Sequence, residues 1–455
     1  ASTHATYVSE NNTLGDAHIN IQDGVQSSVV RFTGVEPIDI HSMQKVSLQG
    51  IVNVGEQHLS IESVNAIDLG VSTLLSGGTI TAQGVLSLGA GDSLVGFGNV
   101  AGRISGDIAS NITATGALSL GVATANDGFI TRGQLQTGAG NTVTLRDANQ
   151  AVLGSMTTLG GNGFSGVLEA VNGYLVESGN NVTGFGTLSS TNDIALQSLL
   201  NGSINGTSPT QRITLNGYYK GIGTFNNVNH AGTYSPGFSP AQVVNGGVAY
   251  SAGADILLEL GGTVPGSSGH DQLIHMGLVE LGGNLQVAKI NNFNPTAGNS
   301  FVLMTSSVGF TGEFDSVTLP AAPLGSDWEL VVGNNEVRLN LVDLPNVQPI
   351  VIAPTSHSQF KKLEVKFDGL VDIDLDAFTI IKRGQGGGVV SHTFTLVNDG
   401  SGNSVVSISF TSFINISSGA LVDGNYQIAI DPNKIRRAGT SVKLDGNSDG
   451  LQGGT

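Results

Sequence analysis

The sequence predicts an all-β chain, a long parallel β-helix followed by a small immunoglobulin-like β-sandwich. Three observations carry this expectation. Helical periodicity is close to absent, and short apolar runs flanked by turn residues recur in its place. Glycine makes up 66 of 455 residues while Asp, Glu, Lys and Arg together reach 12%, about twice and about half their usual shares. The stretch at 86–100 recurs at 174–188, and self-similarity of this kind marks stacked repeat units.

The apolar runs follow in order: Leu86–Leu88, Leu118–Leu120, Val143–Leu145, Ile213–Leu215, Ile256 to Leu260 and Val279–Leu281, each near Gly, Asn or Asp. Strands so short and so many do not fit one compact sandwich of ~100 residues. They fit coils in which inward side chains pile on those of the coil below, with backbone hydrogen bonds between coils about 4.8 Å apart. Gly and Asn supply the positive-φ corners. The repeat sets Leu88 opposite Val176, Leu94 opposite Val182, and Gly96-Phe97-Gly98 opposite Gly184-Phe185-Gly186. At roughly 20–25 residues per coil, residues 1–345 form a rod of about 15 coils.

Around 342 the text changes. VDLPNVQPIVIAP, with Pro345, Pro349 and Pro354, predicts a linker at 346–354. Cleaner alternations follow at Leu363–Phe367, Val371–Leu375, Phe394–Leu396, Val406–Phe410 and Tyr426–Ile430. About seven strands in ~100 residues predict the sandwich at 355–455. The charge shifts there too. Residues 1–345 hold 9 Lys and Arg against 25 Asp and Glu, whereas the remainder holds 9 against 10.

Residues 233–341 resemble the C-terminal part of autotransporter-type passenger domains and related giant bacterial surface proteins. The resemblance rests on SPGFSP (235–240), GHDQLIHMGLVELGGNLQV (269–287), GNSFVLM (298–304) and GFTGEFDSVTLP (309–320), then Trp328. ALSLG, NTVTLRD and AVLGSMTTL at 113–188 look like the repeat found upstream in such proteins. The resemblance implies a right-handed β-helix, export, and a scaffold or adhesive role. Residues 355–455 do not look like an outer-membrane barrel and instead look like sandwich modules of large secreted bacterial proteins.

Composition excludes several classes of function. There is no Cys, hence no disulfide, thiolate catalysis or zinc–cysteine site. No apolar run of about 18 residues is present to span a membrane as a helix. Nine cations over 345 residues cannot neutralise a phosphate backbone, so nucleic acid is not an expected partner. The chain opens at Ala1 without a charged-then-apolar leader, which suits a mature exported chain or a fragment.

The expected role is therefore that of a non-catalytic secreted or cell-surface protein: a fibre, a surface-layer or matrix subunit, or an adhesin stalk. Its partners would be further copies of the chain in a filament, or a cell-surface polysaccharide. A β-helix polysaccharide lyase or hydrolase is the main rival. It would need clustered carboxylates, or Ca²⁺ with a basic residue. No Asp-Asp pair occurs, and Thr191-Asn192-Asp193 is a faint echo of a hydrolase motif, so no catalytic residue is assigned. His270 and His275 are expected at corners or on the surface, and Asp271 in a turn or ladder. A third reading is a carbohydrate- or calcium-binding module. Asp445, Asn447 and Asp449 place oxygens as a D-x-[DN]-x-D-G loop does, a partial Ca²⁺ site whose closing acid would fall at position 456. The alternative there is a tail rich in Asx turns. No other cofactor is implied.

Overall fold

The computed structural model describes residues 3–454 except 10–16, 24–25, 33–37, 41–44, 50, 64, 268, 349–359 and 416–418. Most of the linker predicted at 346–354 therefore lies outside the described residues. The chain forms two compact units. One comprises 1–290 with 303–318 and 333–336, the other 291–302 with 319–332 and 337–455. Among the described residues, helix is confined to two 3-10 turns, Ile194–Leu196 and Pro432–Lys434. The all-β expectation holds.

The first unit is a parallel β-solenoid with three faces. On one face, Leu94, Ile112, Leu135, Thr157, Val182, Ile204 and Phe225 are successive register partners. On the next, Leu118, Val143, Leu168, Leu188 and Leu215 follow one another. Leu153, Val176 and Leu200 belong to the third. Every one of these side chains is buried. Period-2 alternation sends the intervening residue outward, so Thr144, Thr187 and Thr214 meet solvent between buried neighbours. The two copies of the internal repeat fall on one column, with Leu94 and Val182 four steps apart.

The start of the chain departs from this pattern. Thr3–Ser9, Ala17–Asp23 and Gln26–Phe32 pair antiparallel, and parallel pairing begins where Thr3–Ser9 meets Lys45–Gln49. Antiparallel pairing needs only short connections, and two such connections separate these three strands.

The glycine-framed corner has a steric cause. A Cβ on Gly96 would lie 1.9 Å from the Leu75 carbonyl oxygen, and one on Gly186 equally close to that of Gly166. Both glycines also sit at positive φ, +136° and +155°. The corner presses its backbone onto the coil below, which only a residue without a side chain permits.

In the second unit, Trp328 lies in an antiparallel hairpin of Ser326–Val332 and Glu336–Asp343, its Nε1 donating to the Pro320 carbonyl at 2.8 Å. Farther on, Lys362–Phe367, Ser404–Phe410 and His392–Asn398 form one antiparallel sheet. Phe378–Arg383 joins Gly388–Val389 and Asn425–Ile430 in another. Val365, Phe367, Phe378, Ile380, Val406 and Ile408 from both sheets share one core, the arrangement of a sandwich.

Two substitutions test the stacking. Gly96→Ala should lower unfolding stability by about 3 kcal/mol or more. Gly91→Ala, at φ +89° with open space around it, should cost about 1 kcal/mol; denaturant melts of both compare clash with backbone preference. Thr157 is fully buried and its hydroxyl has no hydrogen-bond partner among the described residues. Thr157→Val should therefore stabilise the solenoid by about 1–2 kcal/mol, read as a higher midpoint in the same melts.

Candidate functional site

Outward columns on the solenoid form two troughs. In the first, Thr214, Asn229, Ala249 and Glu280 are successive register partners on one face. Ala249 is the smallest of the four, so the column dips there. Arg212 precedes Ile213 at the corner and reaches along the face to Glu280, spanning three coils in the form of a two-pronged ion pair. Its Nη1 lies 3.1 Å from Oε2, and Nη2 bonds Oε1. Hydrogen bonding to the guanidinium holds the Glu280 carboxyl below its ordinary value. Ser251 Oγ donates to Asn229 Oδ1 at 2.8 Å, and Phe185 with the Pro209–Thr210 loop forms the rim. The trough encloses about 490 Å³.

The second trough, of about 600 Å³, gathers Thr191, Asn192, Asp193, Tyr218, Asp255 and Gln286. The faint hydrolase echo at 191–193 thus shares a depression with a second carboxylate, Asp255, which sequence spacing did not single out. Both acids already have structural work. Asp193 caps the turn at Ile194–Leu196 by accepting from the Ala195 amide at 2.8 Å. Asp255 Oδ1 accepts from Asn284 Nδ2 at 3.1 Å and Gln286 Nε2 at 3.0 Å. Asp255 thus links neighbouring coils through uncharged side-chain amides, beside the backbone ladder that sets their register.

The interior beneath the first trough is not aliphatic. His230 and Tyr250 follow Leu215 in one inward column and Tyr219 and Tyr234 follow Ser198 in another, with Phe225, Asn245 and His275 entering from the first face. His230 stacks on Tyr250 at 4.9 Å and on Tyr234 at 5.0 Å, and Phe225 meets His230 edge-on at 5.3 Å. His230 and Tyr250 are register partners on successive coils and their separation is close to the coil spacing, whereas Tyr234 meets His230 across a corner of the same coil. The Tyr219 hydroxyl lies 2.7 Å from His230 Nδ1. His230 Nε2, the Tyr250 hydroxyl and both ring nitrogens of His275 are buried without a well-formed hydrogen bond among the described residues. His270, Asp271 and His275 are each 1% exposed, so neither histidine is at the surface; His270 lies in the connection between Asp255–Leu260 and Gln272–His275, enclosed at a corner. Asp271 does act in a ladder: Oδ1 accepts from the Ala241 amide at 2.6 Å and Oδ2 from that of Glu259 at 2.8 Å. The available signal was Tyr and His at inward positions of the short strands between 218 and 275.

In the second unit, the tail brings Asp445, Asn447 and Asp449 together in one loop. Asp445 is buried; its Oδ1 accepts from the Asp449 amide at 3.1 Å and its Oδ2 from the Gly450 amide at 2.8 Å. Asn447 Nδ2 donates to Asp449 Oδ2 at 2.9 Å. The loop is thus closed by Asx-type bonds, and these oxygens retain lone pairs that a hard cation such as Ca²⁺ could use. Among the described residues, no three His, Cys, Asp or Glu side chains converge as a metal-binding group.

The architecture defines a β-solenoid repeat protein. No family model matches the chain, and no curated protein matches it either.

Burial sets the pH response of the interior. It lowers His230 to about 3, with the neighbouring His275 adding to the effect, and lowers His275 to about 4 against a weak pull from the Gly246 carbonyl. Burial also raises Asp271 to about 7, over the opposing pull of its two amide donors. Between pH 6.5 and 4 the unfolded chain gains protons at both histidines while the native chain does not, so their contribution is lost as pH falls. Asp271 acts oppositely, because its native form holds a proton that the unfolded form has shed. The net is about one proton favouring unfolding, about 1.4 kcal/mol per pH unit. The melting midpoint of the solenoid should fall from pH 6.5 to 4, and His275→Phe should flatten the slope.

Proposed function

We propose that the chain is a non-catalytic extracellular scaffold or adhesive protein of bacterial surface type. On this reading the solenoid is passenger-like, and the C-terminal unit is an immunoglobulin-like module. The observation that carries it is the outward face of the coils. Column after column presents Thr, Ser, Asn and Gly, which bind water without charge and suit a surface-layer, fibre or stalk element. Its partner would be a cell-surface polysaccharide or further copies of the chain. The carboxylates of the second trough are committed to capping and to inter-coil hydrogen bonds, which favours this reading over a lyase or hydrolase. Protease treatment of intact cells of the native host should remove the chain while cytosolic markers survive. Neutral and anionic polysaccharides incubated with it, with and without Ca²⁺, should show no new chain ends. Cleavage of any of them, or complete protection in intact cells, would defeat the proposal.

A calcium-binding role for the C-terminal unit is a second reading, resting on the clustered oxygens of Asp445, Asn447 and Asp449. Millimolar Ca²⁺ should raise the melting midpoint of the wild-type chain and leave that of Asp449→Asn unchanged. An unmoved wild-type midpoint rules it out.

A further inference from the structure

We propose that the trough spanned by the Arg212–Glu280 pair binds a neutral oligosaccharide. This rests on the adhesive reading above and gives it a ligand class and a place. A sugar ring offers hydroxyls that donate and accept at once, with apolar C–H faces between them. Recognising it takes adjacent donors and acceptors of fixed geometry and an aromatic or apolar edge. The trough supplies each of these. The guanidinium fork and the Glu280 carboxylate lie side by side and are oriented by one another. Thr214, Asn229 and Ser251 add hydroxyl and amide groups along the floor, and Phe185 gives the rim an aromatic face.

The volume of about 490 Å³ falls within the ~300–1,000 Å³ typical of small-molecule clefts, room for a short run of sugar rings. Charge selects the class. The two charges of the trough cancel, and a chain of net charge −17 repels polyanions. A neutral glycan meets neither obstacle.

The test uses the full-length chain, labelled and applied to arrayed cello-, manno- and galacto-oligosaccharides, with oligogalacturonates as the anionic arm. Retention of one neutral series is expected, with little on the anionic arm. For the series retained, calorimetry should show Arg212→Ala and Glu280→Gln weakening binding tenfold or more. Thr214→Trp should block binding altogether. Thr214 points outward between buried Ile213 and Leu215, so this variant fills the trough without entering the core and remains informative if Arg212→Ala fails to fold. No retention of any neutral glycan, preference for the anionic arm, or equal binding by wild type and Thr214→Trp would each overturn the proposal. Such results would leave the adhesive reading standing if the chain is still stripped from intact cells, because that measurement does not involve the trough.

Discussion

The first unit depends on one constraint: each residue must sit beside its counterpart one coil on, about 4.8 Å away, because backbone hydrogen bonds between coils set that distance. A position is comfortable only if its side chain tolerates a like neighbour. Leucine, valine and isoleucine do so inside, and threonine, asparagine and serine do so outside. Stacked like charges would repel by roughly 1 kcal/mol per step even in water. Scarcity of charge follows from this geometry. Where charge is used across coils, as by Arg212 and Glu280, the partners are of opposite sign and three coils apart.

The same constraint explains the departures from the aliphatic pattern. Rings tolerate this spacing well because offset stacking needs a similar separation, so His230 and Tyr250 continue the column of Leu215, and Tyr234 stacks over Tyr219 in another. They bring polar atoms into a dry interior, and burial keeps the imidazoles neutral. At the corners, the closeness of successive coils leaves no room for a Cβ at Gly96 or Gly186. Outside, a column holding Ala249 between Asn229 and Glu280 leaves a dip, and a trough arises from ordinary variation in side-chain length.

Much of the fold was legible because its periods are short. Alternation at Val143–Leu145 or Ile213–Leu215 says which side faces in, and the Gly-Phe-Gly corners mark where the strand must turn. The antiparallel start at 3–32 was not legible, since Thr3–Ser9 alternates much as a coil strand does and nothing local states the direction of its partner. The troughs were not legible either. Arg212 and Glu280 are 68 positions apart, and Asp193 and Asp255 fall on different coils, so no spacing rule joins them.

By itself the sequence determined that this chain is all-β, that one long stretch stacks in parallel coils, and that the last hundred residues are patterned for antiparallel sheets. Such properties are set by side-chain alternation and by glycine at tight corners, both local. Tertiary structure alone decided which residues became neighbours: which histidines were enclosed, which acid met which amide, and where the surface dips. Register between coils depends on how many residues each corner takes up, a number that varies from coil to coil. A change of one residue at any corner would move every later side chain to a new column or to the opposite face.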